Sequence, residues 1–328
     1  MSNRRSPMIG LVVLTILLVL MIPLRVLIDR APDGSLGFAW PEASYASFRW
    51  MALAGGMVVG VALGVSGGLL QSMLRNPLAS PYILGVSSGA GLGIMVGLYL
   101  ASIGRVTMHS TFETIPAVLG ALVVLGLVYA FGRRDRRLDP VTVILIGVVI
   151  STMCGAGMML LQSLVPAGLR GEFLRWLMGR IPEALPMSTL MICTAITGIG
   201  LIWSIRIGRA MDVAVLPDDE CQTAGVSIAQ LRTLQFVLAG MLAAVAVTIA
   251  GPIGFVGLIA PHTARLLVGP THRPRIIGAA LAGAVLVIGS DVARQVIDLG
   301  HGRLPIGIFT ALIGGPVFLW LLLSGRAE

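Results

Sequence analysis

Few residues in this 328-residue chain are equipped for covalent chemistry, and their spacing fits none of the common arrangements. All 23 basic residues are arginine. A phosphate-binding P-loop needs a lysine in G-x-x-x-x-G-K-[ST], so the chain does not hydrolyse nucleotide by that route, and a Schiff-base lysine is excluded as well. No H-E-x-x-H zinc helix occurs, and the serines of "GVSSG" (85–89) have no histidine partner at a matching depth. Cys154, Cys193 and Cys221 show neither metal-site nor disulfide spacing. No His/Cys/Met set has ligand spacing either, so no catalytic residue, metal or cofactor is expected. Ion-coupled carriers usually carry several acidic groups inside the bundle. Here Asp291 alone lies well within an apolar run, three residues before Arg294, where the two share a helix face and can pair. No energy source for such coupling is built into the chain, and that points to a partner subunit.

The elements that must position these residues are membrane spans. Hydrophobic residues make up 56% of the chain and charged ones 12%, and the mean hydropathy is +0.94. Runs of about 20 apolar residues suffice to cross a bilayer as helices. Ten are expected, at roughly 8–28, 49–74, 82–102, 114–132, 140–165, 187–205, 232–250, 253–268, 276–298 and 304–324. The first is too long for a signal-peptide core and lacks a small-residue cleavage site, so it reads as a retained span. Arginines concentrate on the cytoplasmic side of membrane proteins. With the N-terminus inside, 14 of the 23 fall there, including "RRDRR" (133–137) and "HRPR" (272–275). Both termini are then cytoplasmic. The net charge of +8 is mostly this topological signal, scattered over short loops in a way that does not fit nucleic-acid binding. The fold class is an all-α polytopic membrane protein, with residues 1–328 forming one transmembrane domain.

Two places interrupt the apolar pattern. "QSMLRNPLASPYILGVSSGAG" (71–91) joins the second span to the third. Asn76-Pro77 and Ser80-Pro81 oppose continuous helix there, because a proline also restricts the residue before it. The flanking spans carry Gly56, Gly60, Gly64 and Gly68, and Gly85, Gly89, Gly93 and Gly97. Four-residue spacing places each set on one face, where a neighbouring helix can approach closely. The expectation is two close-packed helices meeting through an ordered hinge beside Arg75, serving either as a gate element or as a structural turn. The second interruption is the loop 206–232. Pro217 with Asp218, Asp219 and Glu220 resembles a helix start, and Gly225 a helix end, before "SIAQLR" begins another helix. That loop is either a coupling element lying across the cytoplasmic face or an ordinary solvated loop.

Three longer motifs, "LRNPLASPYILGVSSGAGLG" (74–93), "GPIGFVGLIAPHTARLLVGPTHR" (251–273) and "LPIGIFTALIGGPVFLWLL" (304–322), resemble the FecCD-type permeases, in order from about residue 45 to the C-terminus. These are the membrane subunits of ABC importers for iron-siderophore complexes, haem and vitamin B12. The resemblance implies ten helices per subunit and a homodimer with its pathway on the two-fold axis. It also implies two cytoplasmic ATPase subunits, a periplasmic or lipid-anchored substrate-binding protein, and an inner-membrane location. By the same resemblance, residues matching 206–232 form the coupling helices. Asn76, Pro77 and Leu78, with Val141 and Thr142 of the fourth-to-fifth loop, form the cytoplasmic gate, and Arg49 and Arg294 dock the binding protein. The sequence departs from the family pattern on the outer side. "RWMA" places Ala at position 52, "RLPIG" puts Arg303 where the family commonly has an acid, and "GHG" (300–302) lengthens that loop. Arg303 is either an added docking residue or an interfacial anchor. A siderophore is the default cargo, with haem and then cobalamin after it. The alternative is a secondary transporter working without an ATPase.

Overall fold

The computed structural model describes residues 7–30, 36–105, 114–134, 137–297 and 304–323. Twelve helices occur among them: α1 (Pro7–Leu27), α2 (Ala43–Met73), α3 (Val86–Ser102), α4 (Thr114–Phe131), α5 (Pro140–Leu164), α6 (Ala167–Leu177), α7 (Met187–Val213), α8 (Asp218–Thr223), α9 (Ile228–Ala250), α10 (Val256–Val268), α11 (His272–Val296) and α12 (Ile306–Leu323). Seven are long and apolar enough to cross a membrane, and the shorter apolar helices α3, α10 and α12 bring the candidate spans to ten. Each of the ten expected spans coincides with one of these apolar helices, seven of them of full spanning length. The sequence-based reading did not anticipate α6, a short helix after the outer end of α5, or two small antiparallel hairpins. One pairs Ile28 with Phe38 in the α1–α2 turn, and the other pairs Arg133 with Leu138 between α4 and α5.

α2, α9 and α11 form the buried centre, while α1 and α5 expose most of their apolar surface. On α1 this outward face carries Met8, Ile9, Val12 and Ile16. Such a face suits hydrocarbon and not water, and the backbone polar groups of the helix interior are already paired within the helix. α2 packs against α11, α9 and α10, and α11 in turn against α1, α7 and α10.

The glycines decide who packs on whom. A Cβ on Gly60 would stand 2.5 Å from the Gly283 carbonyl oxygen, and one on Gly64 would stand 2.1 Å from that of Ala279. Gly67, outside the expected stripe, meets the Gly257 carbonyl oxygen at 1.7 Å. The α2 stripe therefore seats α11 and α10. The α3 stripe seats α4, with Gly89 facing the Gly120 carbonyl oxygen at 2.4 Å and Gly93 that of Pro116 at 2.0 Å. This corrects the sequence expectation that the two stripes hold α2 against α3. α9 packs on both helices, and the two glycine faces point to different partners. Gly68 has ordinary contacts, with Pro261 Cβ at 3.7 Å, and Gly56 meets the Ile181 side chain at 3.0 Å. Gly97 lines a groove between α3 and α4 together with Gly89 and Gly93.

Candidate functional site

At the cytoplasmic end, the α2–α3 connector is ordered by its own backbone. α2 closes with a Schellman-type pair of bonds, Asn76 N–H to Gln71 O at 3.1 Å and Arg75 N–H to Ser72 O at 3.3 Å. The αL position of that motif, usually glycine, is Arg75 at φ 47°. The Asn76 side-chain oxygen then accepts from Leu78 N–H at 2.9 Å, a local turn that takes the place of helix at Asn-Pro. Pro81–Leu84 forms one 3-10 turn, and Gly85 at φ 71° redirects the chain into α3. Tyr82 Oη donates to Ile253 O at 2.6 Å and accepts from Ile253 N–H at 2.5 Å. That single hydroxyl satisfies both backbone groups of a residue in the non-helical α9–α10 link, as buried irregular backbone within a membrane requires.

Val141 and Thr142 sit in the first turn of α5, not in a loop, because Asp139 caps that helix. The Asp139 carboxylate accepts from Thr142 N–H at 2.8 Å and from Thr142 Oγ1 at 2.7 Å. The connector and α5 share this end of the bundle: a Cβ on Gly147 of α5 would lie 2.1 Å from Ile83 O. Leu78 and Val141 are both exposed.

The stretch 206–232 holds the expected short helix and the start of another, but the link between spans is shorter than those bounds. α7 continues to Val213, α9 already starts at Ile228, and only 214–227 departs from the two spans. α8 lies there as a separate short helix. Pro217 stands at its N-cap, and Asp218, Asp219 and Glu220 fill its first turn. Gly225, at φ 77°, ends it, with Gly225 N–H bonded to Gln222 O at 3.0 Å and Val226 N–H to Cys221 O at 2.9 Å. Asp219 and Glu220 face outward. Cys221 is buried with Sγ 3.2 Å from Val213 O, which moors the helix to the end of α7. "SIAQLR" is not a second surface helix but the first turns of α9, capped by Ser227.

A polar cluster closes the opposite end. Arg25 of α1 and Arg294 of α11 each donate through Nε to a different oxygen of Asp291. The residues are 1%, 6% and 1% exposed in the order Arg25, Arg294, Asp291. With its amide oxygen turned toward Arg25, Gln295 accepts from Arg25 Nη1 at 2.6 Å, and its nitrogen donates to Ile28 O at 3.2 Å. Arg49 of α2 donates to Val26 O at 2.7 Å and to Ile28 O at 3.3 Å. The Asp291–Arg294 pair was legible from spacing. Arg25, 266 residues from its partner, gave no signal beyond being a charge at the end of an apolar run. Arg294 is therefore mostly enclosed, although it also lines an outer cavity of about 320 Å³ with Arg175, Arg180, Glu183, Pro182 and Pro305. Arg303 lies outside the described residues.

Seven helices able to cross a membrane, three shorter apolar ones, broken backbone held within the bundle and a moored surface helix define a polytopic membrane protein. Residues 9–324 match the model of the FecCD transport family, and the chain belongs to that family. It is 30% identical over 250 residues to the hemin transport system permease protein HmuU of Yersinia pestis, covering 76% of this chain and 73% of that one. It is 34% identical over 242 residues to the vitamin B12 import system permease protein BtuC of Serratia proteamaculans, covering 74% and 70%. A solved structure of a metal-chelate type ABC transporter in an inward-facing conformation superposes with a TM-score of 0.83 at 28% identity, over 97% of this chain and 99% of that one.

Proposed function

We propose that the chain is the permease subunit of a binding-protein-dependent ABC importer for a metal chelate, an iron siderophore before haem, with cobalamin third. It works as a homodimer with two cytoplasmic ATPase subunits and an extracytoplasmic binding protein. The observation that carries this reading is α8, a capped, acid-bearing helix that stands outside the bundle yet is fixed to α7 through buried Cys221. A helix of that form suits a docking ATPase, and the lysine-free sequence leaves nucleotide hydrolysis by a P-loop to such a partner. The hemin and vitamin B12 relatives support a large chelate as cargo. The outer cavity supports an anionic one, since among the described residues that line it Arg175 and Arg180 stand with one carboxylate, Glu183, while Arg294 is already paired with Asp291. Carboxylate siderophores and haem propionates both meet that description. Asn76, Pro77, Leu78, Val141 and Thr142 are assigned to the cytoplasmic gate, and Pro217, Asp218, Asp219, Glu220 and Gly225 to coupling.

The test is reconstitution. The permease with its neighbouring ATPase and binding protein in liposomes should take up the binding protein's own ligand only with ATP. Gly225→Pro, which cannot hold φ 77°, and the charge reversal Asp219→Lys with Glu220→Lys should abolish uptake while the protein still inserts. Normal ligand-stimulated ATP hydrolysis in both variants would remove α8 from the coupling site.

A further inference from the structure

The αL position that ends α2 is held by an arginine, where a glycine would sit without steric penalty. Left-handed backbone at a non-glycine residue persists only when its surroundings enforce it. The enforcing contacts are visible. Arg75 Nη2 donates to Ala214 O at 3.0 Å and to Leu216 O at 3.2 Å. Ala214 is the C-cap of α7, so its carbonyl is among those an α-helix leaves without an intrahelical partner. Leu216 immediately precedes Pro217, the N-cap of α8. One guanidinium thus spans the two-residue strap through which α7 passes into α8. On the other side of the same residue, Asn76, Pro77 and Leu78 follow with no intervening slack, because Asn76 N–H is tied back to Gln71 and Leu78 N–H to the Asn76 side chain.

We propose that Arg75 is a positioning residue that links the coupling helix to the gate: displacement of α8 pulls on the 214–216 carbonyls and moves 76–78 through the guanidinium. The inference rests on reading α8 as the element on which the ATPase subunits act. Both bonds leave one nitrogen, Nη2, whose N–H groups are fixed in the guanidinium plane, whereas a lysine ammonium is a point charge on a flexible stem. The arginine also places a cation at the C-terminal end of α7, where the helix dipole favours it.

The substitution that separates linkage from architecture is Arg75→Gly. Glycine adopts the αL conformation freely, so the variant should melt at the wild-type temperature or above it. It should keep binding its ATPase and hydrolysing ATP. Uptake per ATP hydrolysed should fall about tenfold, an effect of about 1.4 kcal/mol from losing both exposed hydrogen bonds to the carbonyls. Arg75→Lys should retain part of the coupling. Wild-type uptake per ATP in Arg75→Gly would overturn the proposal. So would a lower melting temperature with uptake falling only in proportion to the folded protein, since Arg75 would then serve the fold alone. Failure of the broader function reads differently, because the wild-type protein itself would then show no ATP-dependent uptake.

Discussion

Asp291 is the residue whose replacement should harm this fold most for the smallest change in shape. Its two oxygens hold Arg25 and Arg294, and all three residues are at most 6% exposed. Asp291→Asn is isosteric and opens no cavity, but it leaves two buried guanidiniums without the carboxylate that they share. Breaking a buried pair from one side costs about 3–5 kcal/mol, because the uncompensated charge stays out of water. At about 2–4 °C per kcal/mol for a large chain, the melting temperature in detergent should drop by roughly 6–20 °C. The triple variant Arg25→Met, Asp291→Leu, Arg294→Met removes the charges together, and replacing a buried network with apolar groups of similar volume is often close to neutral. It should therefore melt above Asp291→Asn despite carrying three changes. Both are read by thermal unfolding of the purified protein, monitored by a thiol-reactive dye or by loss of monodispersity. If Asn at 291 melts within about 2 °C of wild type, less than the effect of one kcal/mol in a chain of this size, the cluster is not a buried charge network. A triple variant less stable than the single one would refute the reasoning equally.

Gly64→Leu should prevent α2 from seating on α11, and Gly89→Leu should part α3 from α4, each lowering the yield of monodisperse protein. Gly68→Ala should be tolerated, since its nearest neighbour lies at 3.7 Å; size-exclusion profiles separate the three. Tyr82→Phe strands both backbone groups of Ile253 and should destabilise by about 1–3 kcal/mol, measurable as a lower melting temperature. Arg49→Glu should slow association with the binding protein in a salt-dependent way, with Arg303→Glu doing so more weakly. Surface-plasmon kinetics at low and high ionic strength check this. Because Arg49 also bonds the Val26 and Ile28 carbonyls, Arg49→Glu should lower the melting temperature too.

The spans were legible because a 20-residue apolar run in a charge-poor chain has one physical use, and glycine spacing of four marked the faces of close approach. What spacing cannot reveal is which helix fills such a face. Gly60 finds Gly283 and Gly89 finds Gly120, pairs separated along the chain by topology and invisible to periodicity. The ends of helices were lost for a related reason. Arg206 and Arg209 interrupt the apolar run at the end of α7, yet the helix continues to Val213 because backbone bonding outlasts hydrophobicity beyond the membrane. α6 was missed because "AGLRGEFLRWL" carries two glycines, two arginines and a glutamate within 11 residues, too polar for a span. The pairing of Arg294 with Asp291 was legible from spacing but its enclosure was not, since Arg25 reaches the same carboxylate from the far end of the sequence.

The restriction of basic residues to arginine also gains a structural use. Three of them carry a guanidinium to the carbonyl end of a helix: Arg49 to Val26 and Ile28 past α1, Arg75 to Ala214 and Leu216 past α7, and Arg170 to Val165 past α5 at 2.7 Å. Helix C-termini present unpaired carbonyls and negative dipole ends. At the edge of a bilayer such carbonyls need donors, and a guanidinium offers five in a fixed plane where an ammonium offers three from one point. Two of these arginines flank one element, for Arg49 lies near the outer end of α2 and Arg75 directly follows its inner end. The most buried long helix of the bundle is thus fastened at both faces to the ends of other helices, α1 outside and α7 inside. A displacement at either face therefore meets a rigid rod, and Arg75 is the point at which the inner end of that rod is joined both to the α7–α8 strap and to the tied residues 76–78.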